Sequence, residues 1–190
     1  MRRRLLDATV DCLVRYGYAG TTTTRVTELA GVTRGAQVHH FPTRADLVAA
    51  AVRHLAAKRA ELAFEKIDEV RQAADPLDAA LDLLWEIHQG PINYATIEMW
   101  VAARTDPDLR EQLTRVEPMA RASVIEFAEA AFGEYAANPR FRKLMYTAMD
   151  AIRGILLMGL SDEDSTNTLK RWRRAKADFR ELINAVLPTR

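Results

Sequence analysis

One cysteine, Cys12, in 190 residues excludes a disulfide framework and any cysteine-rich zinc site. No window approaches the roughly 18 consecutive apolar residues of a membrane span. The opening MRRRLLDATV lacks the apolar core of a signal peptide, so a soluble, cytoplasmic protein is expected. Neither sign of charge dominates: 27 Lys+Arg stand against 26 Asp+Glu, a net charge of +1. That balance excludes an acidic tail protein or a histone-like polycation, and at first sight it counts against a duplex binder. The chain also lacks His/Cys/Asp clusters at metal spacing, a glycine-rich phosphate loop and a Gly-x-Ser-x-Gly elbow. No enzyme, cofactor or metal is therefore expected, and Cys12 reads as core of the first helix. What is present is globular: 48% apolar and 28% charged residues, enough for one domain or a small module with a larger one.

The balanced charge is an average over two unlike parts. Residues 1–58 carry nine Lys/Arg and four Asp/Glu, a net of +5; residues 59–190 carry 18 and 22, a net of −4. Three of the four histidines (His39, His40 and His54) also fall in the first part. A basic head on an acidic body suggests a head that meets phosphate, with chance segregation on a solvated surface as the plain alternative.

Helical signals dominate and no sustained period-2 stretch occurs. Leu6, Val10 and Leu13 suit a helix that stops at Gly17. Thr21 to Thr24 supply hydroxyls for a loop and an N-cap. Val26, Leu29 and Ala30 follow at helical spacing before Gly31, and Thr33 can cap a short helix from Arg34 to His40. Pro42 breaks the chain. Thr43 to Asp46 then resembles a capping box, with Asp in place of Glu, opening a long helix to about Gln72. In the body, Asp75-Pro76, Asp106-Pro107 and Asn138-Pro139 pair an Asx cap with a proline suited to the first turn. With Gly90-Pro91, they predict helices at about 76–89, 92–104, 107–132, 139–160 and 165–187. Pro118 is expected to kink or split the third of these. The fold class is all-α, with about nine helices.

Thr24-Arg25-Val26-Thr27-Glu28-Leu29-Ala30-Gly31-Val32-Thr33-Arg34-Gly35-Ala36 has the spacing of a helix-turn-helix, whose second helix presents its first residues to the major groove. The wider stretch includes Leu5-Leu6-Asp7-Ala8, Gly17-Tyr18, Thr21-Thr22, Ala30-Gly31-Val32-Thr33, Gly35-Ala36, Phe41, Arg44 and Leu47. It resembles the N-terminal domain of the TetR family of bacterial transcription repressors. The resemblance covers roughly residues 4–50 and implies a DNA-binding domain at 1–50 and a ligand-binding and dimerisation domain at 51–190. It further implies a homodimer formed through the last two helices. Thr27 stands where the family usually has Ala. Gln37-Val38 replaces its usual apolar-Tyr pair, so one hydroxyl anchor to phosphate is missing.

Arg34 opens the recognition helix, and its fork can pair with guanine O6 and N7, or sit on a phosphate or in solvent. Gly35 and Ala36 let the backbone approach the groove, and Ala36 can touch a thymine methyl. Thr22, Thr23, Thr33, His40 and Arg44 are phosphate candidates, and His39 can reach a base or a phosphate. Gln37 reads either as a base reader or as a polar residue at the helix junction. Adjacent His39 and His40 diverge by about 100° on a helix and make a poor metal pair.

In the body, Phe141, Leu144, Met145, Ala148, Ile152, Ile155, Leu156 and Gly159 form one stripe. Leu169, Trp172, Phe179, Ile183 and Val186 form another, interrupted by Lys176. Ala148, Ile152, Ile155, Trp172, Phe179 and Ile183 are the candidate dimer interface, the alternative being that both stripes face the subunit's own core. Trp85, His88, Tyr94, Glu98, Met99, Trp100, Met119, Phe127, Tyr146, Met149 and Asp150 are candidates to line a small-molecule pocket, the alternative being plain core. Asp150 with Arg153 could instead be an i, i+3 ion pair.

The expected function is a dimeric regulator that binds double-stranded DNA at a near-palindromic operator and is released by a small-molecule inducer. A regulator without an inducer, and an all-α ligand-binding or scaffolding protein that no longer binds DNA, are the alternatives. The missing Tyr supports the last of these.

Overall fold

The computed structural model describes residues 1–162 and 164–186. Among them are ten α-helices, two short 3₁₀ turns and no strand. The expectation of about nine helices holds, with the long connector divided in two. The helices are α1 (Arg2–Gly20), α2 (Thr23–Ala30), α3 (Arg34–His40), α4 (Arg44–Glu65) and α5 (Ile67–Gln72). Then come α6 (Pro76–Ile87), α7 (Pro91–Ala102), α8 (Pro107–Phe132), α9 (Pro139–Met158) and α10 (Thr166–Asn184). The expected end of the last helix at 187 lies outside the described residues. Two compact units result: Met1–Lys58 with Gly90–Ala120, and Arg59–Gln89 with the chain from Arg121 onward.

In the first unit, Leu5, Leu6, Ala8 and Cys12 of α1 pack with Val26, Ala30, Phe41, Leu47, Ala50 and Ala51 into one core. Leu13, Tyr18, Val48 and Val52 form a second with Ala95, Met99, Leu109 and Leu113. The α1 axis breaks at Gly17, where φ is 65° and ψ −177°, a combination open essentially to glycine. The break frees the Tyr18 amide, which donates to Glu98 Oε1 at 2.8 Å. The Tyr18 hydroxyl donates to Asp106 Oδ2 at 2.6 Å. Burial, that hydrogen bond and nearby carboxylates push the Tyr18 pKa up to about 12.

The second unit is built on Leu77, Leu81, Leu84 and Trp85 of α6 against Phe141, Met145, Ala148, Ile152 and Leu156 of α9. Trp172, Phe179 and Ile183 of α10 complete it. The Trp85 and Trp172 rings stack at 5.0 Å and 4°. Lys176, the apparent interruption of the α10 stripe, pairs with Asp78 at 2.8 Å and Asp82 at 2.6 Å, bracing α10 against α6.

Three expectations change here. Ala148, Ile152, Trp172, Phe179 and Ile183 are buried within their own subunit, and Ile155 packs against the same core, so this set is not a dimer face. Pro118 lies inside α8, which continues through it as one helix, although the two units divide just beyond it. One helical stretch, Pro139–Ser161, is long and apolar enough to cross a bilayer by length and composition. Its inner stripe is the core just described.

Candidate nucleic-acid interface

The turn between α2 and α3 is fixed by local capping. The Thr22 hydroxyl accepts the Arg25 amide at 3.2 Å and starts α2. Gly31 closes it in the left-handed region, at φ 59°, and the Val32 amide reaches back to the Thr27 carbonyl at 3.0 Å. Arg4 of α1 donates to the Ala30 and Gly31 carbonyls at 2.6 and 3.2 Å, satisfying acceptors that a helix end leaves open. The Thr33 hydroxyl accepts the Ala36 amide at 3.2 Å and starts α3. Thr27, in place of the family's Ala, is buried and donates its hydroxyl to the Thr24 carbonyl at 2.8 Å, which removes the cost of the extra polar group.

This capping leaves a defined outer face on α3. Thr33, Arg34, Gly35, Val38 and His39 are exposed; Ala36 and His40 are half-buried. Arg34 makes no hydrogen bond or ion pair among the described residues. The His39 and His40 rings meet edge-on at 5.3 Å. Val38, which replaces the family's Tyr, is exposed on this face without a polar group. Thr22 is exposed and Thr23 half-buried at the start of α2.

Two sequence candidates are corrected. Gln37 is 1% exposed and donates its side-chain amide to the Phe41 carbonyl, so it seals the inner face of α3 and reads no base. Arg44 is half-buried over the Tyr18 ring, 4.2 Å from its centroid. It donates Nε to the Thr21 carbonyl at 2.7 Å and Nη2 to the Tyr18 carbonyl. It clamps the loop after α1 instead of offering a free charge to phosphate. The expected capping box forms: the Asp46 amide donates to Thr43 Oγ1 at 3.0 Å, and the Thr43 amide to Asp46 Oδ2 at 3.1 Å.

The pocket candidates fall in both units. In the first, Met99 is core, and Glu98 is committed to the Tyr18 amide, which corrects its assignment to a pocket. Tyr94, Trp100 and Met119 are exposed. In the second, Trp85 is core, stacked on Trp172, and Asp150 is exposed and pairs with Arg153 at 3.3 Å. Both are corrected as ligand contacts. Phe127 meets Phe64 edge-on at 5.9 Å, and Tyr146 lies 5.5 Å beneath the Arg121 guanidinium. Met149 is buried.

His88 is buried, and its Nδ1 lies 2.8 Å from the Leu84 carbonyl, to which it donates. Burial, followed by the charge of Arg59, pushes its pKa down to about 4. The sequence reading missed Arg59. It stands one turn from Leu55 and one turn from Ala63 on the stripe of α4 that buries Val48 and Val52, and that spacing is visible in the sequence.

Comparison with known proteins bears on this geometry. Residues 5–51 match the family model described as bacterial regulatory proteins, tetR family. An uncharacterised HTH-type transcriptional regulator of Mycobacterium tuberculosis is 35% identical over 127 residues, 67% of this chain and 65% of that protein. The match therefore spans less than two thirds of that relative's length. A TetR-family regulator from Rhodococcus shares the fold with a TM-score of 0.72 at 22% identity, over 96% of this chain and 97% of that one. The multidrug binding protein EbrR, solved in complex with ethidium, gives a TM-score of 0.67 at 24% identity, over 95% of this chain and 96% of its own.

Proposed function

The chain belongs to the TetR family of bacterial regulatory proteins, and on that premise we propose that it is a cytoplasmic, dimeric transcriptional repressor whose operator binding is relieved by a small molecule. The observation that carries this reading is the outer face of α3: Arg34, Gly35, Val38 and His39 stand exposed along a short helix capped by Thr33. Residues 1–50 are the DNA-binding domain and residues 51–190 the effector-binding and dimerisation domain. Arg34 reads a base, while Thr22, Thr23, Thr33, His39 and His40 position the phosphates. Gly35 and Ala36 admit the groove edge.

Two such helices are needed to read a site of useful length, and a two-fold dimer supplies them. The outward face of α9 suits that contact. Lys143, Thr147, Asp150, Gly154, Leu157 and Met158 follow one another along it, all exposed, and a Cβ added at Gly154 would meet nothing within 4 Å. A small residue next to the exposed apolar Leu157 and Met158 lets a second helix approach closely. An effector acts by favouring a head spacing that no longer fits both half-sites, to the extent that it binds the two spacings differently.

The reading is tested by the salt dependence of duplex binding, followed by fluorescence anisotropy. Each phosphate neutralised lowers log K by about 0.9 per decade of salt. A dimer with several phosphate contacts per head gives a steep slope; a slope near zero, or no binding at low salt, contradicts it.

A further inference from the structure

The second unit holds a cation without a counter-ion. Arg59 of α4 has no ion pair among the described residues, and its Nη2 is shut away from solvent without a hydrogen-bond partner. Burial, with repulsion from Arg153, pulls its pKa down to about 10, which still leaves it charged at neutral pH. Arg153 of α9 and His88 at the end of α6 lie close enough for their charges to interact with it. Asp150 pairs with Arg153 from the exposed side of α9. One helical turn from each of the three stands a buried apolar residue: Ala63, Met149 and Leu84.

A guanidinium tip shut away from water without a partner is unfavourable, and Met or Leu at position 59 would have avoided it. The cost is offset if a ligand brings the missing negative charge. A guanidinium fork suits a planar carboxylate, which can accept two parallel N–H bonds. The neutral His88 imidazole adds no charge and the Arg153 charge is already paired with Asp150, so the site suits a monoanion, and the apolar neighbours suit a hydrocarbon body. A cation such as the ethidium bound by EbrR would meet repulsion here.

We propose that Arg59, flanked by Arg153 and His88, anchors the carboxylate of the effector, a small organic acid with an aromatic or short aliphatic body. This rests on the effector-responsive reading above and names its ligand class.

The test follows thermal unfolding of the full chain, wild type and Arg59→Met, with benzoate or hexanoate, their neutral amides benzamide and hexanamide, or sulfate. Without additive, R59M is expected to unfold at a higher temperature than wild type, since it removes an uncompensated charge. A carboxylate raises the wild-type Tm, the matching amide does not, and the carboxylate's affinity for R59M is weaker by about 10- to 100-fold. No shift from either carboxylate, or an equal shift in R59M, overturns the proposal. A sulfate shift as large as the carboxylate's, lost in R59M, makes the occupant an inorganic anion and overturns the ligand class. Should R59M fail to fold, Arg59→Lys keeps the charge but not the fork: weakened carboxylate binding supports the site, and unchanged binding overturns it. No DNA enters the assay, so its failure leaves operator binding intact, and a failure of operator binding leaves the anion site intact.

Discussion

At the scale of single residues, His88 gives the clearest consequence for stability. Its pKa in the folded chain is about 4, below the ordinary 6.5, because burial and then the neighbouring Arg59 charge disfavour the imidazolium. The unfolded chain therefore binds the extra proton first. The stabilisation is complete above about pH 6.5 and is lost as pH falls toward 4, on the order of 3 kcal/mol across that window. His88→Phe is expected to flatten this part of the pH–stability profile, measured by urea unfolding at several pH values. An unchanged slope between pH 4 and 6.5 would show that His88 does not titrate in that range. Residues whose role is local were legible in the sequence: Thr22, Thr33 and the Thr43–Asp46 box cap the helices that their spacing predicts. Residues whose partners come from distant parts of the chain were not. Arg44 reads as a surface cation until the fold brings the Tyr18 and Thr21 carbonyls beneath it, and Glu98 reads as a pocket acid until Gly17 turns the Tyr18 amide toward it.

At the scale of elements, α9 has two unlike faces. Its inner stripe, Phe141, Met145, Ala148, Ile152 and Leu156, is core of its own subunit, while the face through Gly154 is open. Gly154→Arg is expected to turn the dimer into a monomer in sedimentation velocity with little loss of thermal stability. Ile152→Ala is expected to cost about 2–5 kcal/mol, since it opens a cavity in the core. A G154R protein that remains dimeric would remove this face from the interface. Apolar periodicity found both helices of the pair but could not say which stripe faced inward, because a core and a dimer interface bury the same residue types. The helix boundaries were legible because Asx-Pro pairs mark them chemically. The break between α4 and α5 at Lys66 was not, since no Gly or Pro stands there.

At the scale of the whole molecule, the near-neutral net charge conceals a head of +5 and a remainder of −4. A uniformly basic protein would hold DNA along its whole surface, whereas this distribution confines attraction to the end that carries the helix-turn-helix. Fold class and the helix-turn-helix were legible together, because α2 and α3 are short elements with strong local capping signals. The proposed effector site was legible only as a list of helical positions, and Arg59, its proposed anchor, emerges from burial of its Nη2 that the sequence does not state. The central claim, sequence-specific binding by a two-fold dimer, is tested most directly by selecting bound duplexes from a random pool with the wild type and Arg34→Ala. The wild type is predicted to return an inverted repeat with half-sites about 10 base pairs apart, centre to centre, or a multiple of that. Arg34→Ala should relax one position of each half-site at a cost of about 1–3 kcal/mol. Recovery of no enriched sequence by the wild type at low salt would contradict the account.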